Sequence, residues 1–142
     1  MIFLVFRSFS KISSIWHTIG KVYIYGKTYQ ENVINTIKKE YDTLLSVKNR
    51  NRFYEKNGVG AYLGNVLYNE YNLIFSPHTN TIKKHFRITM WEGYIKDGTI
   101  ILLNDNTKSN KEFIQQVKDY ELNVNHDDAP DSMAGLLYKI RN

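Results

Sequence analysis

Asn125-His126-Asp127-Asp128-Ala129-Pro130-Asp131-Ser132-Met133-Ala134-Gly135-Leu136-Leu137 is the stretch on which the fold turns. Three carboxylates and one imidazole fall within six residues, directly ahead of an apolar pattern. Adjacent Asp127 and Asp128 repel each other, and a chain keeps such a pair as a solvated loop, a helix cap or a metal site. Pro130 suits a first helical turn, where its missing N–H is not needed. Met133, Leu136, Leu137 and Ile140 recur at helical spacing and predict a buried stripe. The Asp pair is therefore expected at the N-terminal mouth of a core-packed helix. The helix macrodipole favours acids there in any protein, so position alone does not separate a cap from a ligand.

Working outward, the 142 residues suit one domain with a proper core. A hydrophobic content of 42% fits a mixed α and β globular protein rather than a disordered chain. The absence of cysteine excludes disulfides, Cys-ligated zinc and a Cys nucleophile, and a reducing compartment is the simple reading. No apolar run approaches membrane-spanning length, so no membrane partner is expected. Met1–Phe6 lacks a charged lead and a cleavage site and reads as a strand, not a signal peptide. The net charge of +5 permits contact with a polyanion, as it would for any mildly basic protein.

Along the chain, Ile2–Phe6, Ile15–Ile19 and Lys21–Gly26 read as strands of an opening antiparallel meander. Thr28–Val47 reads as a helix, with Val33, Ile34, Ile37, Tyr41, Leu44 and Leu45 on one face. Thr28 followed by Glu31 matches a capping box. Lys48–Arg52 reads as a solvated basic connection. Arg52–Glu55 is a short strand running into Lys56-Asn57-Gly58-Val59-Gly60, with a helix over Ala61–Tyr68 and a strand over Leu73–Phe75. The glycine spacing fits neither a Walker phosphate loop nor a dinucleotide fingerprint.

Asn80–Glu92 is basic and is expected to be helical, with Ile82, Phe86 and Met90 as its stripe. Lys83, Lys84 and Arg87 are its candidate DNA contacts, against the plainer reading of a solvated face. Thr99–Leu103 reads as a strand, Asn104–Asn110 as a polar loop, and Lys111–Tyr120 as a helix with Phe113, Ile114, Val117 and Tyr120 inward. This order predicts a mixed sheet flanked by helices.

His126-Asp127-Asp128-Ala129-Pro130-Asp131-Ser132-Met133-Ala134-Gly135-Leu136 resembles the third acidic motif of the nuclease domain of the large terminase subunit, the DNA-packaging motor of tailed phages. Phe53-Tyr54-Glu55-Lys56-Asn57-Gly58-Val59-Gly60 is similar to the second acidic motif, a strand ending in an acid before Asn and Gly. The resemblance covers about residues 21–142. It implies an α/β, ribonuclease-H-like fold: a mixed sheet flanked by helices, as a single nuclease-like domain over 1–142. It also implies an endonuclease that cuts concatemeric double-stranded DNA during genome packaging.

In that family two or three carboxylates converge on divalent ions about 4 Å apart. Hard oxygen ligands favour magnesium or manganese. The resemblance carries the second acid onto Glu55 and the third onto Asp127 and Asp128, with Asp128 preferred. His126 becomes an orienting or proton-transfer group, or else a loop histidine, and Asp131 a helix-start residue. The implied partners are double-stranded DNA, the motor's ATPase domain, the small terminase subunit and the portal. The implied location is the host cytoplasm, at the procapsid.

One departure matters. The family carries a first Asp on its first strand, whereas Met1–Lys27 holds no Asp or Glu, and residues 1–20 are atypical. The alternative is a catalytically inactive remnant or fragment that keeps the fold and DNA binding. A third reading is a small α/β interaction module whose acids are helix caps.

Overall fold

The computed structural model describes residues 2–8, 21–29, 33–46, 52–55, 62–121 and 127–141. The strand expected over Ile15–Ile19, the turn at Lys56–Gly60 and His126 lie outside them. The chain divides into two compact units, Met1–Gln30 with Ile82–Asn142, and Glu31–Thr81.

The first unit is built on strands β1 (Ile2–Ser8), β2 (Val22–Thr28) and β5 (Ile100–Leu102). Central β2 pairs antiparallel with β1 and parallel with β5. Its alternation buries Val22, Ile24, Gly26 and Thr28, as a period of two requires of a strand with one covered face. That face packs on α5 (Lys108–Lys118) and α6 (Asp128–Arg141). Phe113 and Val117 of α5 join Ala129, Met133, Ala134 and Leu137 of α6 in one buried cluster. Each large side chain there contributes about 2 kcal/mol by leaving water. Gly26 is required by this packing: a Cβ on it would lie 2.5 Å from the Phe113 ring.

Within the basic segment only Lys84–Thr89 is a helix, α3, and a second short helix, α4 (Glu92–Lys96), begins where the segment ends. The expected stripe is also corrected. Ile88 and Trp91 are buried, Ile95 packs against them, and Phe86 is 64% exposed. Trp91 lies in the turn between α3 and α4, and its indole, a large apolar surface, is buried there.

The second unit contains α1 (Val33–Ser46), β3 (Phe53–Glu55), α2 (Leu63–Tyr71) and β4 (Ser76–His78), with β3 and β4 parallel. Its core holds Ile37, Leu44, Leu67 and Leu73. Three expectations change. Thr28 does not cap α1: it ends β2, pairs with Ile2, and its hydroxyl donates to Glu112 at 2.9 Å. Arg52 is buried rather than solvated, and its Nε donates to the Leu44 carbonyl at 2.9 Å, closing the C-terminal end of α1. Leu73–Phe75 is not a strand. Asn72 ends α2 in the left-handed conformation (φ 53°), and the Leu73 amide donates back to the Leu67 carbonyl at 2.9 Å. Leu73 is thereby used as the apolar residue of a helix stop, and pairing begins only at Ser76.

Candidate functional site at the mouth of the last helix

Asp127 immediately precedes α6 and Asp128 opens it, with the Asp131 amide donating to the Asp127 carbonyl at 3.0 Å. Pro130 lies buried in the first turn. The mouth is fixed from below, because the Ala129 amide donates to Gln116 Oε1 of α5 at 3.2 Å.

Across it stands α3. Lys84 Nζ lies 3.2 Å from both Asp127 carboxylate oxygens and 3.7 Å from Asp131 Oδ2. Arg87 donates from one terminal nitrogen to Asp131 Oδ1 and from the other to the Ile82 carbonyl. The two basic residues differ in exposure: the Lys84 side chain is 47% exposed, whereas Arg87 and Asp131 are 11% and 12% exposed. His85 Nδ1 meets the Tyr120 hydroxyl at 2.9 Å beside the same mouth.

Burial alone would lower the Lys84 pKa. The hydrogen bond to Asp127 and the charges of Asp131, Asp127 and Asp128 outweigh it and raise the ammonium above its ordinary 10.5. Partial burial raises the Tyr120 hydroxyl, and the Asp127 charge adds to it.

The structure thus brings together Lys84, Arg87, Asp127 and Asp131, with Asp128 on the exposed side of the helix start. Lys83 is exposed next to them. Glu55 ends β3 in the other unit, and its side chain lies outside the described residues. Among the described residues, no group of three or more His, Cys, Asp or Glu is arranged to hold a metal. What the mouth does offer is hard carboxylate oxygen, from Asp127 and Asp131, converging on one position of positive charge. Both carboxylates are paired, Asp127 with Lys84 and Asp131 with Arg87 and Lys84.

A second polar cluster, not foreseen in the sequence, lies at the ends of β2 and β5. Asp105 accepts from the Thr107 hydroxyl at 2.6 Å, the Thr107 amide at 2.8 Å and the Tyr25 hydroxyl, and lies 3.9 Å from Lys27 Nζ. Desolvation alone would raise its carboxyl. The hydrogen bonds from Thr107 and Tyr25 and the Lys27 charge prevail and hold it down at about 2. Asn110 is fully buried and donates to the carbonyls of Gly26 and Leu103 at 2.7 and 3.1 Å. It also accepts from the Asp105 amide at 3.0 Å. The readable signal was Asp105-Asn106-Thr107, a turn-forming triplet just before a helix. Asn106 takes the left-handed conformation there (φ 64°). These bonds tie strand ends to α5.

No family model matches the chain, and no curated protein or solved structure is significantly similar to it. Among the described residues no helix is long and apolar enough to cross a membrane.

Proposed function

We propose that the chain is a ribonuclease-H-like nuclease domain of the terminase type, which cuts double-stranded DNA at a magnesium or manganese site. Asp127 and Asp128 would hold the ion, and the resemblance gives the role of second acid to Glu55. The bound ion would supply a water-derived nucleophile and stabilise charge on the leaving oxygen. The observation that carries the proposal is the placement of Asp127 and Asp128 at the start of a core-anchored helix, where the Lys84 ammonium lies 3.2 Å from both Asp127 carboxylate oxygens. A central strand paired antiparallel on one side and parallel on the other is compatible with the ribonuclease-H-like order. In this reading Asp127 and Asp128 orient the ion, Asp131 braces the mouth through Arg87, and Lys83 faces the DNA backbone. The ATPase domain, small subunit and portal are the partners this reading supplies.

Nicking of supercoiled plasmid with manganese tests it. Wild-type protein is expected to nick, and Asp128→Ala and Glu55→Ala are expected to lose nicking by at least about a hundredfold, as when a positioned charge is removed from a transition state. Equal nicking by wild type and Asp128→Ala removes the site.

A second reading, an inactive fold that binds DNA, is favoured by two observations: Met1–Lys27 has no acid, and Lys84 and Arg87 already neutralise Asp127 and Asp131. It predicts DNA affinity that falls steeply with salt and no cleavage with any divalent ion.

A further inference from the structure

We infer that the outer face of α3 and α4 is a self-association surface, on which a second copy of this chain packs antiparallel about a two-fold axis at Met90. No metal and no DNA enter this inference, so it stands or falls apart from the nuclease reading.

Three large apolar side chains stand on this face: Phe86 at 64%, Met90 at 40% and Tyr94 at 41% exposure. The inward side of the same segment is already occupied by Ile88, Trp91 and Ile95, which belong to the core of the first unit. Met90 and Trp91 keep right-handed helical backbone between the two helices, so the helical spacing carries across. Residues four apart therefore form one ridge, the element that helices pack into each other's grooves. The Tyr94 ring lies 5.9 Å from the buried Trp91 indole, which steadies it. Beside it Gly93 leaves room for close approach, since a Cβ there would meet nothing within 4 Å.

The ridge ends on exposed charges of opposite sign, Lys83 and Asp97. Lys83, Phe86, Met90, Tyr94 and Asp97 are separated by three, four, four and three residues, the same spacing from either end. A two-fold axis at Met90 therefore lays Phe86 on Tyr94 of the second copy, Met90 on Met90, and Lys83 on Asp97, with each unlike pair formed twice. Parallel pairing would set Lys83 against Lys83. A polyanion or an acidic helix laid along the ridge would meet Asp97 as a like charge. This self-complementarity selects a second copy as the occupant. Three apolar side chains from each copy make a small interface, and the +5 charge of each chain opposes it, so the association is weak. Lys83 cannot serve a DNA strand and the second copy's Asp97 at once.

Sedimentation equilibrium of the whole chain, without DNA or metal, tests this over about a hundredfold range of protein concentration. Wild type is expected to follow a monomer–dimer equilibrium. Met90→Glu sets two like charges against each other on the axis and is expected to weaken the dimer at least about a hundredfold. Lys83→Asp and Asp97→Lys each turn two unlike contacts into like ones and are expected to weaken it about fivefold or more. Lys83→Asp/Asp97→Lys exchanges the two charges and is expected to return to within about twofold of wild type. All of these positions are exposed, and far-ultraviolet circular dichroism confirms that each variant is folded. Wild type that stays monomeric throughout overturns the inference. So does a dimer that Met90→Glu leaves intact, because another face would then hold it. A dimer that neither single charge reversal weakens, or that the double reversal does not restore, overturns the antiparallel arrangement and the inference with it.

Discussion

The two ends of α5 are fastened by different chemistry. At its start, Asn110 is fully buried and makes neutral hydrogen bonds to the Gly26 and Leu103 carbonyls and the Asp105 amide. Near its other end, where Gln116 meets the α6 backbone, the neighbouring contacts are ionic: Lys84 and Arg87 against Asp127 and Asp131. Six residues of helix, about 9 Å of rise, separate Asn110 from Gln116. Buried amides with every partner in place fix a geometry, and their loss leaves orphaned carbonyls. Partly exposed charges hold a geometry more loosely. The start of α5 is therefore the more firmly fixed end, and the half-exposed Lys84 pair at the mouth of α6 the weaker contact.

The largest expected effect is at the firmer end. Asn110→Ala leaves two carbonyls and one amide without partners and should cost about 3–4 kcal/mol in urea unfolding. A loss below 1 kcal/mol would mean that the strand ends and α5 are not joined in this way. Next comes the enclosed pair at the mouth. Arg87→Ala takes from Asp131, at 12% exposure, its enclosed partner and leaves it Lys84 at 3.7 Å; it should cost about 2–3 kcal/mol, with most of it recovered in Arg87→Met/Asp131→Leu. Gly26→Ala follows at about 2 kcal/mol, because a Cβ would meet the Phe113 ring, and Phe113→Leu in the same chain should recover part of it.

How legible these features were varies with their physics. The strand at Val22–Thr28 and the apolar faces of α5 and α6 follow from periodicity, because burying one face imposes it. The stripe of α3 was misread because Phe86 and Met90 fit the spacing as well as Ile88 and Trp91 do, and only packing decides between them. Leu73 looked like a strand residue because an apolar helix stop and a strand start share composition. Of the mouth, the acids Asp127, Asp128 and Asp131 were visible as a cluster. Their pairing with Lys84 and Arg87 was not, because it joins residues more than forty positions apart. Asn110, at the end of a stretch that looked like a polar loop, carried no signal of burial.

The two ends should also separate by pH. The Asp105 carboxyl is held at about 2, below its ordinary 3.8. Its contribution to stability is therefore present above about pH 4 and is lost as pH falls towards 2. Asp105→Asn should remove that acid-limb loss. The Lys84 ammonium is held above its ordinary 10.5, so its contribution is complete below that pH and is lost as pH rises beyond it. Lys84→Met should flatten the alkaline limb relative to wild type. It should also cost the least of all the variants at neutral pH, under about 1 kcal/mol for an exposed pair.

A divalent ion bound at the mouth of α6 is the feature on which the proposed nuclease activity depends most directly. Manganese added to isotopically labelled protein broadens amide resonances near its binding site. The broadening is expected first at residues 127–132, with residues 104–107 at the far end of α5 unaffected. Broadening at 104–107 instead, or at neither segment up to millimolar manganese, would contradict a cation site at the mouth of α6.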